Sequence, residues 1–171
     1  MRNFPSTIEH CIEWGREKFN ANFVERVQNT VECVKDLDGF IKNMRKTSGS
    51  TDVREKLEGV NAQLTIMKGE DLTRSMVLAA RDFFNENYDH GIRDLIAAFP
   101  ADAVDAKLGQ PFWSGAKRFP NVCDLDSSNE LVLSMIHCFT NLVAATAGRD
   151  VREDPISIED VKGVLDSLPA V

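Results

Sequence analysis

The sequence predicts an all-α domain of six to nine helices. Three observations carry that expectation. Apolar residues recur at spacings of three and four along most of the chain, no stretch alternates apolar and polar residues as a half-buried strand does, and no strand–helix–strand rhythm appears. With 171 residues, the chain is read as one domain, residues 1–171, large enough to bury a proper core.

Composition narrows the function classes. A net charge of −7 argues against binding to nucleic acid or to an anionic membrane surface. No uninterrupted apolar run approaches membrane-spanning length, and Met1-Arg2-Asn3-Phe4-Pro5 does not read as a signal peptide. Cys11, Cys33, Cys123 and Cys138 show neither a CxxC pair nor regular disulfide spacing, so they read as reduced and mostly buried structural thiols. His10 and His137 each precede a cysteine, but neighbours on a helix point roughly 100° apart and cannot share a face. There is no HExxH, Walker loop, GxGxxG or metal-ligand cluster.

The first helix is expected after Pro5, which suits a first turn, with Ser6 and Glu9 as a capping box. Its apolar stripe is Ile8, Cys11, Ile12 and Phe19, with Trp14 beside it. Val24, Val27, Val31 and Val34 form a second stripe that Asp38 and Gly39 should break. Phe40, Ile41 and Met44 suggest a short helix, and Ser50 or Thr51 can cap the next, with Val53, Leu57, Val60 or Asn61, and Leu64 inward. The strongest helical region is 71–99, where Leu72, Met76, Ala79, Ala80, Phe83 and Phe84 give a broad apolar face. A bend or break is expected at 87–91, a second helix through Ile92, Leu95, Ile96 and Phe99 ends at Pro100, and one more turn is expected in 101–108. Asp126 or Ser127 should cap a long helix to Ala147, with Leu131, Met135, Cys138, Phe139 and Leu142 inward and Gly148 as its stop. Ser157 with Asp160 caps a last helix through Leu168.

One stretch does not fit a helical pattern. PFWSGAKRFP, 111–120, packs two Phe, a Trp, a Gly and a Lys-Arg pair between two prolines. Such a loop orders by pushing Phe112 and Trp113 into a core made elsewhere, leaving Ser114, Lys117 and Arg118 outside. On these residues alone it is a structural plug.

Its spelling resembles a signature of the ubiquitin-activating enzymes, usually PFWSGPKR, from which Ala116 departs. A second segment resembles the same family. There a thioester-forming cysteine lies in Cys-Thr, a hydrophobic residue, a basic residue and Asn-Phe-Pro, followed by a helix with Ile-Glu-His and a Trp. Arg2, Asn3, Phe4, Pro5, Ile8, Glu9, His10 and Trp14 match that continuation. Tyr88, Ile92-Arg93, Leu95 and Phe99-Pro100 make a third match, in the family's order. The resemblance covers nearly the whole chain and corresponds to the second catalytic cysteine half-domain.

The resemblance implies a reaction in two steps. ATP and magnesium, held in separate adenylation domains, convert the ubiquitin C-terminus to an acyl-adenylate, and the half-domain's cysteine takes the acyl group as a thioester for a ubiquitin-conjugating enzyme. The implied partners are therefore ubiquitin, conjugating enzymes and the adenylation domains, in cytoplasm and nucleus, with no cofactor in this segment. The family's nucleophile falls before Met1, so Arg2, Asn3, Phe4 and Pro5 flank it and none of the four cysteines takes its place. Arg2 either raises the local positive potential or is a solvated charge. An insertion tethered at both ends further implies that Met1 and Val171 lie on one side, on the order of 20 Å or less apart. The alternative reading is an all-α protein-interaction module without a reaction of its own.

Overall fold

The computed structural model describes residues 7–47, 49–115 and 117–169. Helix α1 (Ile8–Phe19) runs through a π-helical turn at Asn20–Glu25 into α2 (Arg26–Lys35). Then come α3 (Leu37–Thr47) and α4 (Ser50–Lys68). Helix α5 (Leu72–Phe84) passes through a second π-helical turn at Asn85–His90 into α6 (Gly91–Ala98). Helices α7 (Glu130–Thr146) and α8 (Ile158–Asp166) complete the order. Counting each π-joined pair as one rod, the described residues form six continuous helices, at the lower end of the expected range. The only extended pairing among them is an isolated antiparallel bridge between Val104 and Pro111.

Several helix ends follow local chemistry. Asp71 caps α5 by accepting from the Arg74 amide at 2.9 Å, and Ser157 caps α8 by accepting from the Asp160 amide at 3.0 Å. Gly148, at φ +93°, ends α7 as expected, and the Arg149 amide turns back to the Ala144 carbonyl at 3.0 Å. Other boundaries differ from the sequence reading. The break after α2 is Asp36, whose carboxylate accepts from the Gly39 amide at 3.0 Å and folds so close that a Cβ at 39 would collide with it. Asp38 and Gly39 therefore start α3 rather than interrupt a helix. Gly49, not Ser50 or Thr51, precedes α4, and Asn129, not Asp126 or Ser127, caps α7. The bend or break expected at 87–91 is a π turn, Asn85–His90, through which the chain stays helical. The helical turn expected in 101–108 is a single α-turn, the Gly109 amide donating to the Asp105 carbonyl at 2.8 Å. It lies within a tight loop that folds back on itself, with the Asp105 amide donating to the Gln110 carbonyl and the Phe112 amide to the Ala103 carbonyl, each also at 2.8 Å.

The main core lies between α5, α7 and α8. Met76, Val77, Ala80 and Phe84 meet Val132, Ile136, Phe139, Val143 and Ala144, and Val161 and Leu165 close one side. A smaller cluster of Phe40, Met44 and Val60 holds α3 against α4, with Cys33 of α2 beside it. The connector 148–157 is fastened by polar bonds: Asn141 accepts from the Ile156 amide at 2.9 Å and donates to its carbonyl at 3.0 Å, while His137 Nε2 contacts that same carbonyl at 2.9 Å. Among the described residues no helix is long and apolar enough to cross a membrane.

Two helices turn a different face inward from the one expected. On α7, Leu131 is 83% exposed and Leu142 and Cys138 are exposed, while Val132, Ile136 and Val143 go in with Phe139. On α1, Ile8, Cys11, Ile12 and Phe19 are exposed, and His10, Trp14 and Lys18 lie against the body. The valine stripe is likewise split, with Val31 and Val34 exposed and Thr30 buried. No described cysteine is fully buried: Cys11 and Cys138 are exposed, and Cys33 and Cys123 are half-buried.

Candidate functional site

Arg2, Asn3, Phe4 and Pro5 lie outside the described residues, as do Ser6, Met1 and Val171, so the capping box and the separation of the ends lie there too. The described part of that segment opens at Thr7, extended at φ −132° and ψ 164°, whose side chain does not cap α1. The Thr7 hydroxyl instead bonds the Glu9 carboxylate and, with the Glu9 amide, holds it below the usual range.

Helix α1 contributes no fully buried residue. Its seat is aromatic. The Trp14 ring meets Tyr88 edge-on at 5.8 Å, and Lys18, one turn later, places its ammonium 5.5 Å from the Trp14 centroid and 6.0 Å from that of Phe83. Beyond the π turn, Phe23 packs on Phe139 at 4.8 Å, and Phe139 stacks on Phe83 at 4.5 Å. Burial pushes the Tyr88 hydroxyl up, and the thiols of Cys123 and Cys11 add to that shift.

Tyr88 also ties the chain beyond α6. Its carbonyl accepts from the Cys123 amide at 3.1 Å. One turn along, Arg93 bonds Asp89 on its own helix and reaches Asp124 at 2.9 Å. At the far end of α6, Phe99 stacks on Phe112 with centroids 4.1 Å apart and planes 5° apart. The Trp113 indole donates to the Phe99 carbonyl at 2.8 Å and to that of Pro100 at 3.1 Å. Those carbonyls belong to the end of a helix stopped by proline, where no further turn supplies donors. Phe119 closes on Trp113 edge-on at 5.4 Å, and Lys117 sits 4.2 Å from the Phe112 centroid. Gly115 makes the turn at φ +62°.

The loop is therefore not a plug in the main core. Phe112 and Trp113 are half-buried and outside that cluster, and they build a satellite with Phe99 and Phe119 on the end of α6. Lys117, expected outside, is half-buried against Phe112, while Ser114 and Arg118 are exposed as expected. The three matched segments thus meet along one line, from Trp14 through Tyr88 and α6 to Phe99-Pro100 and Trp113.

A family model described as ubiquitin-activating enzyme, SCCH domain, matches residues 5–169. The chain belongs to that family. Among full-length relatives, the chain is 30% identical over 158 residues to ubiquitin-like modifier-activating enzyme 1 of Homo sapiens, covering 92% of this chain and 15% of that protein. It is 32% identical over 161 residues to ubiquitin-activating enzyme E1 1 of Schizosaccharomyces pombe, covering 94% and 15%, and 29% identical over 168 residues to that of Candida albicans, covering 98% and 16%. This SCCH domain spans about 15% of the length of the relatives it matches. The lysine beneath Trp14 was missed in the sequence, although a cation one helical turn after a tryptophan is a readable signal. The tie between Cys123 and Tyr88 had none, because it joins backbone atoms far apart in sequence.

Proposed function

We propose that this SCCH domain is the helical catalytic-cysteine half-domain of a ubiquitin-activating enzyme. It accepts ubiquitin from the adenylate as a thioester and passes it to a ubiquitin-conjugating enzyme. Arg2, Asn3, Phe4 and Pro5 flank the thioester-forming cysteine, which precedes them in the parent protein. ATP and magnesium belong to adenylation domains of that protein, in the cytoplasm and nucleus. The observation that supports this reading best is the meeting of Trp14, Tyr88, Phe99-Pro100 and Trp113 along one line, since these are residues through which the chain resembles the family.

The chemistry asked of the segment is modest. A thiolate attacks the mixed-anhydride carbonyl, a carbon–sulfur bond forms, and AMP leaves. The motif leads in sequence to α1, whose first turn holds the Glu9 carboxylate on the Glu9 amide and the Thr7 hydroxyl. A positive potential from Arg2 would favour the thiolate. Through Trp14 and Lys18, the seat on Tyr88 and Phe83 fixes the direction of that helix end.

Two experiments test the reading. With ubiquitin, ATP and magnesium, the 171-residue chain alone should give no thiol-sensitive ubiquitin band on a non-reducing gel; a band on Cys11, Cys33, Cys123 or Cys138 would refute the assignment. In the parent protein, replacing the cysteine that the family motif places upstream of Met1 should abolish the thioester while pyrophosphate exchange persists. An undiminished thioester there would leave only the interaction-module alternative.

A further inference from the structure

Away from that line, the α1–α2 rod, α4 and α5 enclose an open groove of about 510 Å³. Its floor is apolar, built by Ile66, Phe83 and Phe139, and its rim carries Arg26, Asn61 and Glu86. The Arg26 side chain crosses α4 at Gly59, its Nε lying 3.6 Å from where a Cβ of that glycine would stand. Arg26 is half-buried, and among the described residues no carboxylate or carbonyl oxygen pairs with its guanidinium. The other acid on the wall, Asp82, is held by Arg81 at 2.7 Å.

We propose that this groove binds a carboxylate carried on a short apolar body, with the carboxylate on Arg26 and the body over Phe83, Ile66 and Phe139. A guanidinium taken from water without an acceptor is unfavourable, and its planar fork of donors matches a carboxylate in two parallel bonds. Burial pushes the Arg26 pKa down, and the field of Glu86 only partly offsets this. A neutral apolar ligand would fill the floor but leave Arg26 as it is, and a cation would meet it directly. The inference is independent of the thioester reading.

The test is a titration of the 171-residue chain, followed by amide nuclear magnetic resonance, with hexanoate, with hexanamide of the same shape, and with N-acetyl-leucine. Saturable shifts around Arg26, Thr65, Ala79 and Phe83 are expected with the two carboxylates and not with the amide. Tighter binding of N-acetyl-leucine identifies a peptide C-terminus as the source, and tighter binding of hexanoate a free acid. Arg26→Met should weaken binding about tenfold or more, the loss of a charge-assisted pair. Glu86→Gln removes the competing carboxylate and should tighten binding by about twofold or more, a gain that misfolding does not produce. Equal shifts with hexanamide, no saturation with either carboxylate, or indifference to both variants would overturn the proposal.

Discussion

Helices α1 and α7 both carry apolar residues at helical spacing, on a charged background in α1 and an apolar one in α7, and have opposite fates. Helix α7 buries Val132, Ile136, Phe139, Thr140, Val143 and Ala144, because α5 and α8 lie against it. Helix α1 buries nothing completely, and its most apolar stripe faces outward, with Ile8 68% and Ile12 63% exposed. The difference teaches that a hydrophobic stripe records which face can be covered, not whether a neighbour is there to cover it. One helix is held by area, the other by a tryptophan, a lysine and a tyrosine.

The largest effect that sharpens this contrast belongs to α7. Ile136 is completely buried, so Ile136→Ala should destabilise by about 2–5 kcal/mol, read as a shift in urea midpoint. A loss no larger than that of a surface change would mean that α5 and α7 are not the central pair. Trp113→Ala should lie lower, at about 1–3 kcal/mol, for it removes edge-on ring contacts and an indole hydrogen bond from a half-buried satellite. Melting that matched the Ile136 variant would return the loop to the main core.

A smaller effect concerns pH. Tyr88 is the chain's one tyrosine, so tyrosinate absorbance reports it alone. Burial raises its native pKa, so the folded state keeps the proton that the unfolded state gives up. The associated stability is complete below about pH 10 and is lost as pH rises through the raised native value. Tyr88→Phe should flatten that alkaline decline, and an absorbance midpoint at or below the ordinary value would contradict the seat beneath Trp14. The smallest effect is expected for Ile12→Ala, within about 0.5 kcal/mol on melting, as for other exposed positions. A loss like that of Ile136→Ala would show that the outer face of α1 is covered in the isolated chain.

The helical class and the stops were legible because capping and proline act within a few residues: Ser157 with Asp160, Gly148 and Pro100 behave as they read. Facing was not, since it depends on neighbours distant in sequence. Leu131 and Leu142 fit a plausible stripe, but it is Val132, Val143 and Ala144 that join the cluster with α5. The loop was legible as an ordered aromatic segment and illegible in its destination, since nothing in PFWSGAKRFP says that its indole will be taken by the carbonyls of residues 99 and 100. Family membership was readable, because it rests on spelling and order rather than on packing.

The π turn at Asn20–Glu25 sets how the α1–α2 rod responds to a change in length. Such a turn holds one residue more than an α-helical path, and each residue of a helix advances the azimuth by roughly 100°. Removing a single residue from 20–25 would leave a continuous α-helix with α1 in its present register, whereas winding the same six residues as α-helix would rotate all of α1 about its axis by roughly 100°. Trp14 would then swing off Tyr88 while the exposed stripe turned toward the body. Substitution on α1 adjusts how tightly it is held, whereas the one-residue excess at this turn sets which face of α1 meets the body.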